Sequence, residues 1–206
     1  MPPKSEEERI HPGTRAEWRR WLQHNHQRTT GIWLVFWKKA SGKALMDYDT
    51  AVEEALCFGW IDSKPRMLDE QRSMLWMAPR KSRSGWSRPN KQRVERAIAS
   101  GRMTAVGQAK IEAAKRDGSW SALDQIEDLV IPPDLTAALK AHAHAADHFE
   151  DFPRSVKRGI LEWIANAKRS ETRAARVEET ATMAARNERA NQWRKSRSAA
   201  AGVERR

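Results

Sequence analysis

The chain has one cysteine, one tyrosine and four phenylalanines in 206 residues, and no apolar run long enough to cross a bilayer. A single thiol, Cys57, excludes an internal disulfide framework and any multi-cysteine zinc or iron–sulfur centre. It sits late in a predicted helix, where the dipole and burial disfavour a thiolate, so it reads as a small buried hydrophobe. Neither a Walker-type phosphate loop nor a GxGxxG fingerprint occurs, which argues against a common nucleotide-hydrolysing domain. The opening residues, MPPKSEEERI, are acidic and polar where an export signal is basic and then apolar. The expectation is a cytoplasmic protein without membrane insertion and with no cofactor.

What the chain has instead is charge and tryptophan. Lysine and arginine number 38 against 27 acidic residues, a formal net charge of +11, and there are ten tryptophans. The charge comes in blocks: residues 1–63 are neutral, 64–102 carry a net +8, 118–151 a net −6, and 154–206 again +8. Either the acidic block docks on a basic one or all three are separately solvated. Seven tryptophans fall within the first 86 residues, so the two halves differ in kind.

The first half mixes periods. Thr14 and Glu17 make a capping box ahead of Trp18, Trp21 and Leu22 at helical spacing. GIWLVFW (31–37) reads as a buried strand. Asp49 or Thr50 is placed to cap a helix through Val52, Ala55 and Leu56, with Glu53 closing a box and Gly59 near its stop. WIDSKPRML and RSMLWMA form a hairpin about residues 69–71, with Pro65 confining the first strand to an edge or bulge. Strand alternation puts Trp60, Asp62, Lys64 and Arg66 on one face, and Trp76 with Arg80 on one face of the partner.

Beyond Trp86 the pattern is helical. A helix over 88–100 turns Val94, Ala97 and Ile98 inward and stops at Gly101, and Thr104 caps the next as far as Gly118. Residues 119–134 read as a connector with one short turn. Further helices carry Leu135, Ala138 and Leu139; then Val156, Ile160, Trp163 and Ile164; then Ala174, Val177, Ala181 and Ala184 behind a Ser170 cap. His142, His144 and His148 lie between them; the 144/148 spacing matches two zinc ligands, but the HExxH glutamate is absent, and solvated histidines on a connector are the simpler reading. The whole is α+β: a Trp-rich domain (1–118) with a small antiparallel sheet, the connector (119–134), an all-helical domain (135–187) and a basic flexible tail (188–206).

Residues 60–93 combine both unusual features. Trp60, Trp76 and Trp86 offer stacking faces, while Arg66, Arg80, Lys81, Arg83 and Lys91 offer charge, with Asp62 and Asn90 beside them; together they suit an anionic or aromatic ligand. The plainer reading makes the tryptophans core and the cations their solvated neighbours. Nucleic acid is one alternative partner, a protein at the C-terminal helices another, and an enzyme with its site near Asp62 the less favoured third.

ALCFGWID (55–62), with PR at 65–66 and 79–80, WS and NK within 86–91, RVER (93–96) and GRMT (101–104), resembles the YdeI/OmpD-associated family. FPRSVKRGILEWIANAKRSETRAARVEETATMAARN (152–187) resembles its helical signature, and the resemblance runs from about residue 12 to 190. It implies a link to bacteriocin protection and to outer-membrane and antimicrobial-stress phenotypes, and it brings no catalytic or cofactor residue with it. An envelope effect would then be exerted indirectly, from the cytoplasm.

Overall fold

The computed structural model describes residues 8–43 and 46–191; of the expected basic tail, 192–206 lie outside the described residues. The architecture is α+β, with β1 (Arg9–Ile10), α1 (Arg15–Asn25), β2 (Ile32–Trp37), α2 (Tyr48–Cys57), β3 (Trp60–Met67), β4 (Arg72–Pro79), α3 (Arg88–Ala99), α4 (Ala105–Asp117), α5 (Asp124–Glu127), α6 (Pro133–Ala141), α7 (Ala145–Asp151), α8 (Arg154–Ala165) and α9 (Ser170–Ala185). It divides into two compact units after Asp124.

In the first unit the sheet order is β1-β2-β4-β3, antiparallel except that β1 runs parallel to β2. The two-residue β1 is too short to announce itself by periodicity. Alternation along β2 splits its apolar run: Ile32 and Leu34 join the core with Trp18, Leu22 and the helices, whereas Trp33 and Val35 pack with Met74 on the opposite face. The hairpin forms where expected, and Pro65 sits on edge strand β3 beside a bulge. The bulge corrects the expected alternation. Asp62 pairs with Met77, but the register then slips, so Arg66 pairs with Met74. One inserted residue exchanges faces. Asp62 therefore stays on the Met77 side, while Arg66 lies 5.7 Å from the Trp33 ring on the other.

Helix α2 is the centre of this unit, buried continuously from Ala51 to Cys57. Its cap is Asp47, whose carboxylate accepts from the Thr50 amide at 2.7 Å, rather than Asp49 or Thr50. Glu53 closes no box. It lies buried beside Glu54, which is 0% exposed, and the pair receives four arginines. Arg15 spans both glutamates at 2.6 and 2.9 Å, and Arg19 bonds Glu54. Arg96 and Arg102 donate to Glu53 at 2.9 and 3.0 Å. Asp49 is taken up by Arg93 and Arg96 at 2.8 and 2.6 Å. That demand explains why α3 buries Arg93 and leaves Ile98 49% exposed, against the inward position expected for it. At the end of α2, Thr104 donates to the Cys57 carbonyl at 2.5 Å. A side chain at Gly107 would run into that same carbonyl, so α4 approaches only because the position is glycine.

In the second unit α9 packs against α6, α7 and α8. Leu135, Leu139, Phe149, Ile160, Leu161, Ile164, Val177, Ala181 and Ala184 are buried, while Ala174 is exposed. Arg169, not Ser170, takes the cap position of α9. His144 and His148 belong to the short helix α7 and its cap, not to a plain connector. Acidic residues pair locally with the C-terminal basic block: Asp134 with Arg173 at 2.7 Å and Glu150 with Lys157 at 3.3 Å.

Glu54→Ala is expected to lower the unfolding free energy by about 3 kcal/mol, read by urea denaturation, because it strands the partners of a buried carboxylate. Burial pushes the Glu53 carboxyl up, but hydrogen bonds from Arg15, Arg102 and Arg96 outweigh this and hold it below its ordinary 4.5. Its stabilisation is present above 4.5 and is lost as pH falls through the lower folded value, so Glu53→Gln should flatten the acid limb of stability against pH.

Candidate ligand-binding cleft

A cleft of about 430 Å³ opens in the first unit between β3, β4, the end of β2 and the start of α2. Phe36, Met46, Pro65 and Leu75 give it apolar walls, and Lys39, Asp47, Tyr48, Asp62, Ser63 and Ser73 bring polar groups to it. Tyr48 arrives there as the first residue of α2, fixed by the Asp47 cap; Asp62 arrives on β3 immediately before the bulge. The Tyr48 hydroxyl donates to Asp62 Oδ2 at 2.7 Å. Burial and then the Asp62 carboxylate push the phenol up to about 12. The Arg93 guanidinium lies 5.4 Å from the Tyr48 ring, itself held by Asp49 and by Asn90 Oδ1 at 2.8 Å. The phenol is therefore a fixed donor at neutral pH. Asp62 enters no salt bridge among the described residues, and its second oxygen is left to accept from a ligand. A volume in this range, apolar walls and a few polar groups are the usual make-up of a small-molecule site.

The sequence-derived candidates do not assemble into one site. Trp60 is fully buried, its indole donating to the His26 carbonyl at 3.0 Å and meeting Trp21 edge-on. Trp86 is also buried, against Trp120. Neither ring can stack on a ligand, and the plainer reading holds for both. Trp76 is half-buried on the opposite sheet face, edge-on to Trp33. Lys91 is tied to Asp124 at 2.5 Å and Asn90 to Arg93. Arg80, Lys81, Arg83 and Trp86 gather at a second, smaller pocket. Only Asp62 of the ten lines the large cleft.

Tyr48 and the apolar walls escaped the sequence reading. The only cue was a lone tyrosine between Asp47 and Asp49 at a helix start. Cys57 is buried and burial, with Glu54 beside it, pushes its thiol up to about 11, as suits an inert core residue. Among the histidines, His142 bonds Glu178 at 2.9 Å and His148 donates to the Ala184 carbonyl at 2.8 Å.

Since Tyr48 is the only tyrosine, ultraviolet titration of tyrosinate reads it without interference. The wild type should titrate near 12, and Asp62→Asn should bring the midpoint down towards the ordinary 10.0, because it removes the anion that opposes ionisation.

Comparison with known proteins divides the chain as its two units do. Residues 10–110, which contain Tyr48 and Asp62, match the model of a Domain of unknown function (DUF8412). No curated protein and no solved structure gives a significant match. The N-terminal motifs thus fall under a different model from the C-terminal signature, and the resemblance is narrower than residues 12 to 190. Residues 128–187, spanning α6 to α9, match the model of the family described as Bacteriocin-protection, YdeI or OmpD-Associated.

Proposed function

We propose that the protein is a non-enzymatic binding protein whose cleft takes a small aromatic or apolar molecule bearing an amine. The carrying observation is the Asp62 carboxylate, oriented by Tyr48 and in no salt bridge among the described residues, beside the apolar walls of Phe36, Met46 and Leu75. A ring buries apolar surface against those walls, while an ammonium meets Asp62 in a charge-assisted hydrogen bond. Of the two ligand classes expected from sequence, this cleft favours the aromatic one, since its charged lining carries two carboxylates, Asp47 and Asp62, against the one cation Lys39. A binding role suits the groups present: a phenol held to about 12 is a poor proton donor to a reaction at neutral pH, and Asp62 already serves as its acceptor. The family description attached to residues 128–187 adds bacteriocin protection as the setting.

Phenethylamine and phenylacetate present the same ring with opposite charge. Calorimetric titration should show saturable binding of the amine and none of the acid. Asp62→Asn should weaken the amine by about tenfold or more, and Tyr48→Phe less. Equal affinity for both compounds, or an amine indifferent to Asp62→Asn, would remove the proposal.

A further inference from the structure

We infer that the pocket closed by residues 80–84 is a site for a tetrahedral oxyanion, above all a phosphate group. It lies in the first unit between the segment after β4 and the last turns of α4, and has a volume of about 70 Å³. A cavity needs about 10–15 Å³ on this measure to hold one water, so the space suits a compact group of a few atoms.

Its floor is a buried cation. Arg80 is 6% exposed, with its guanidinium 3.8 Å from the Trp86 ring centre. One terminal nitrogen donates to the Ser84 and Gly85 carbonyls at 3.2 and 2.5 Å, while Nε has no hydrogen-bond partner. Among the described residues no carboxylate lies within ion-pair distance of it; Asp62 supports its charge only from further off. Burial pushes Arg80 down to about 10, which still leaves it charged at neutral pH. Elsewhere in this unit the buried ionic residues are compensated, as Glu53 and Glu54 are by four arginines. A buried, uncompensated charge is costly, and a ligand of opposite sign relieves that cost.

The rim repeats the sign. Lys81, Arg83 and Lys110 line the same pocket and form no salt bridge among the described residues. The stem of Lys110 lies over Gly59, where an added Cβ would approach its Cγ to 2.9 Å, so the α4 lysine is drawn in by a glycine of positive φ. Arg83 adopts φ of 59° without being glycine, and Ser84 Oγ donates back to the Lys81 carbonyl at 2.8 Å, which curls the loop around the opening. Asp117 is the opposing charge. Hydrogen bonding from Ser119, whose amide donates to Asp117 Oδ1 at 2.9 Å, with Arg83 adding its charge, holds its carboxyl below the ordinary range. Four cations against one carboxylate leave a net positive pocket sized for one oxyanion.

The test titrates the full chain with inorganic phosphate at constant ionic strength by calorimetry, with glycerol phosphate in a parallel arm. Saturable binding of phosphate is expected. The double variant Arg83→Ala/Lys110→Ala, at exposed positions, should weaken it by about tenfold or more with an unchanged circular dichroism spectrum. Lys64→Ala, on the exposed edge strand, should leave it intact. Arg80→Lys, if it folds, should bind more weakly than the wild type, and the double variant decides the matter without it. Binding of both compounds assigns the site to phosphate esters, and binding of inorganic phosphate alone assigns it to the free ion. No saturable phosphate binding, or equal affinity in the double variant, overturns the inference. Phenethylamine binding in the cleft should be the same in that variant, so this site and the cleft stand or fall separately.

Discussion

The burial of α2 on every side is the constraint around which the first unit is arranged. Ala51, Val52, Ala55 and Leu56 justify that burial, but Glu53 and Glu54 are carried in with them. Two adjacent carboxylates removed from water are tolerable only if cations follow, and mutual repulsion raises the demand. Arg15 and Arg19 come from α1, Arg96 from α3, and Arg102 from the turn into α4. Each fixes its own element relative to α2. The ion network thus decides which faces of α1 and α3 point inward, and Ile98 is left in solvent because Arg93 and Arg96 must reach Asp49 and Glu53. A guanidinium suits the role better than an ammonium, since one planar group can bridge two carboxylates, as Arg15 and Arg96 do.

This arrangement changes what the basic charge means. A net +11 suggests a polyanion binder, and the stretch 64–102 looks like its contact surface. Three of that stretch's arginines, at 93, 96 and 102, are instead held by Asp49 and Glu53, and Lys91 is held by Asp124. Of the cations outside such pairs, Arg80, Lys81 and Arg83 share one small pocket with Lys110 of α4. Structural pairing therefore accounts for much of what looked like a contact surface.

Much of the fold was legible because its signals were local. The apolar run 31–37, the hairpin about 69–71, the Thr14 and Thr104 caps and the stops at Gly101 and Gly118 each depend on a few neighbouring residues. Even the capping box was nearly right: Thr14 accepts from the Glu17 amide, although the Glu17 carboxylate reaches Gly13 instead of Thr14. The failures were non-local. Pro65 announced a bulge, but which residues changed face depended on where the register slipped against β4. Asp49 looked like a cap because its partners lie 44 and 47 residues away. The stacking role given to Trp60 and Trp86 failed for the same reason. Whether an indole is core or surface is settled by what arrives on top of it, here Trp21 for one and Arg80 with Trp120 for the other.

Asp62 shows why the candidate site was legible only at one point. It was one of the ten candidate ligand-binding residues, and it does line the cleft, but its meaning comes from two residues remote in sequence or register. Tyr48, fourteen residues earlier, donates to it and orients it. Arg80, on the segment after β4, draws support from its charge without pairing with it. The bulge after Asp62 keeps that carboxylate on the face with Met77, while sending Arg66 to the opposite side of the sheet. An alternating strand would have placed Arg66 on Asp62's own face, where it could have competed for the carboxylate that now serves Tyr48 and the cleft.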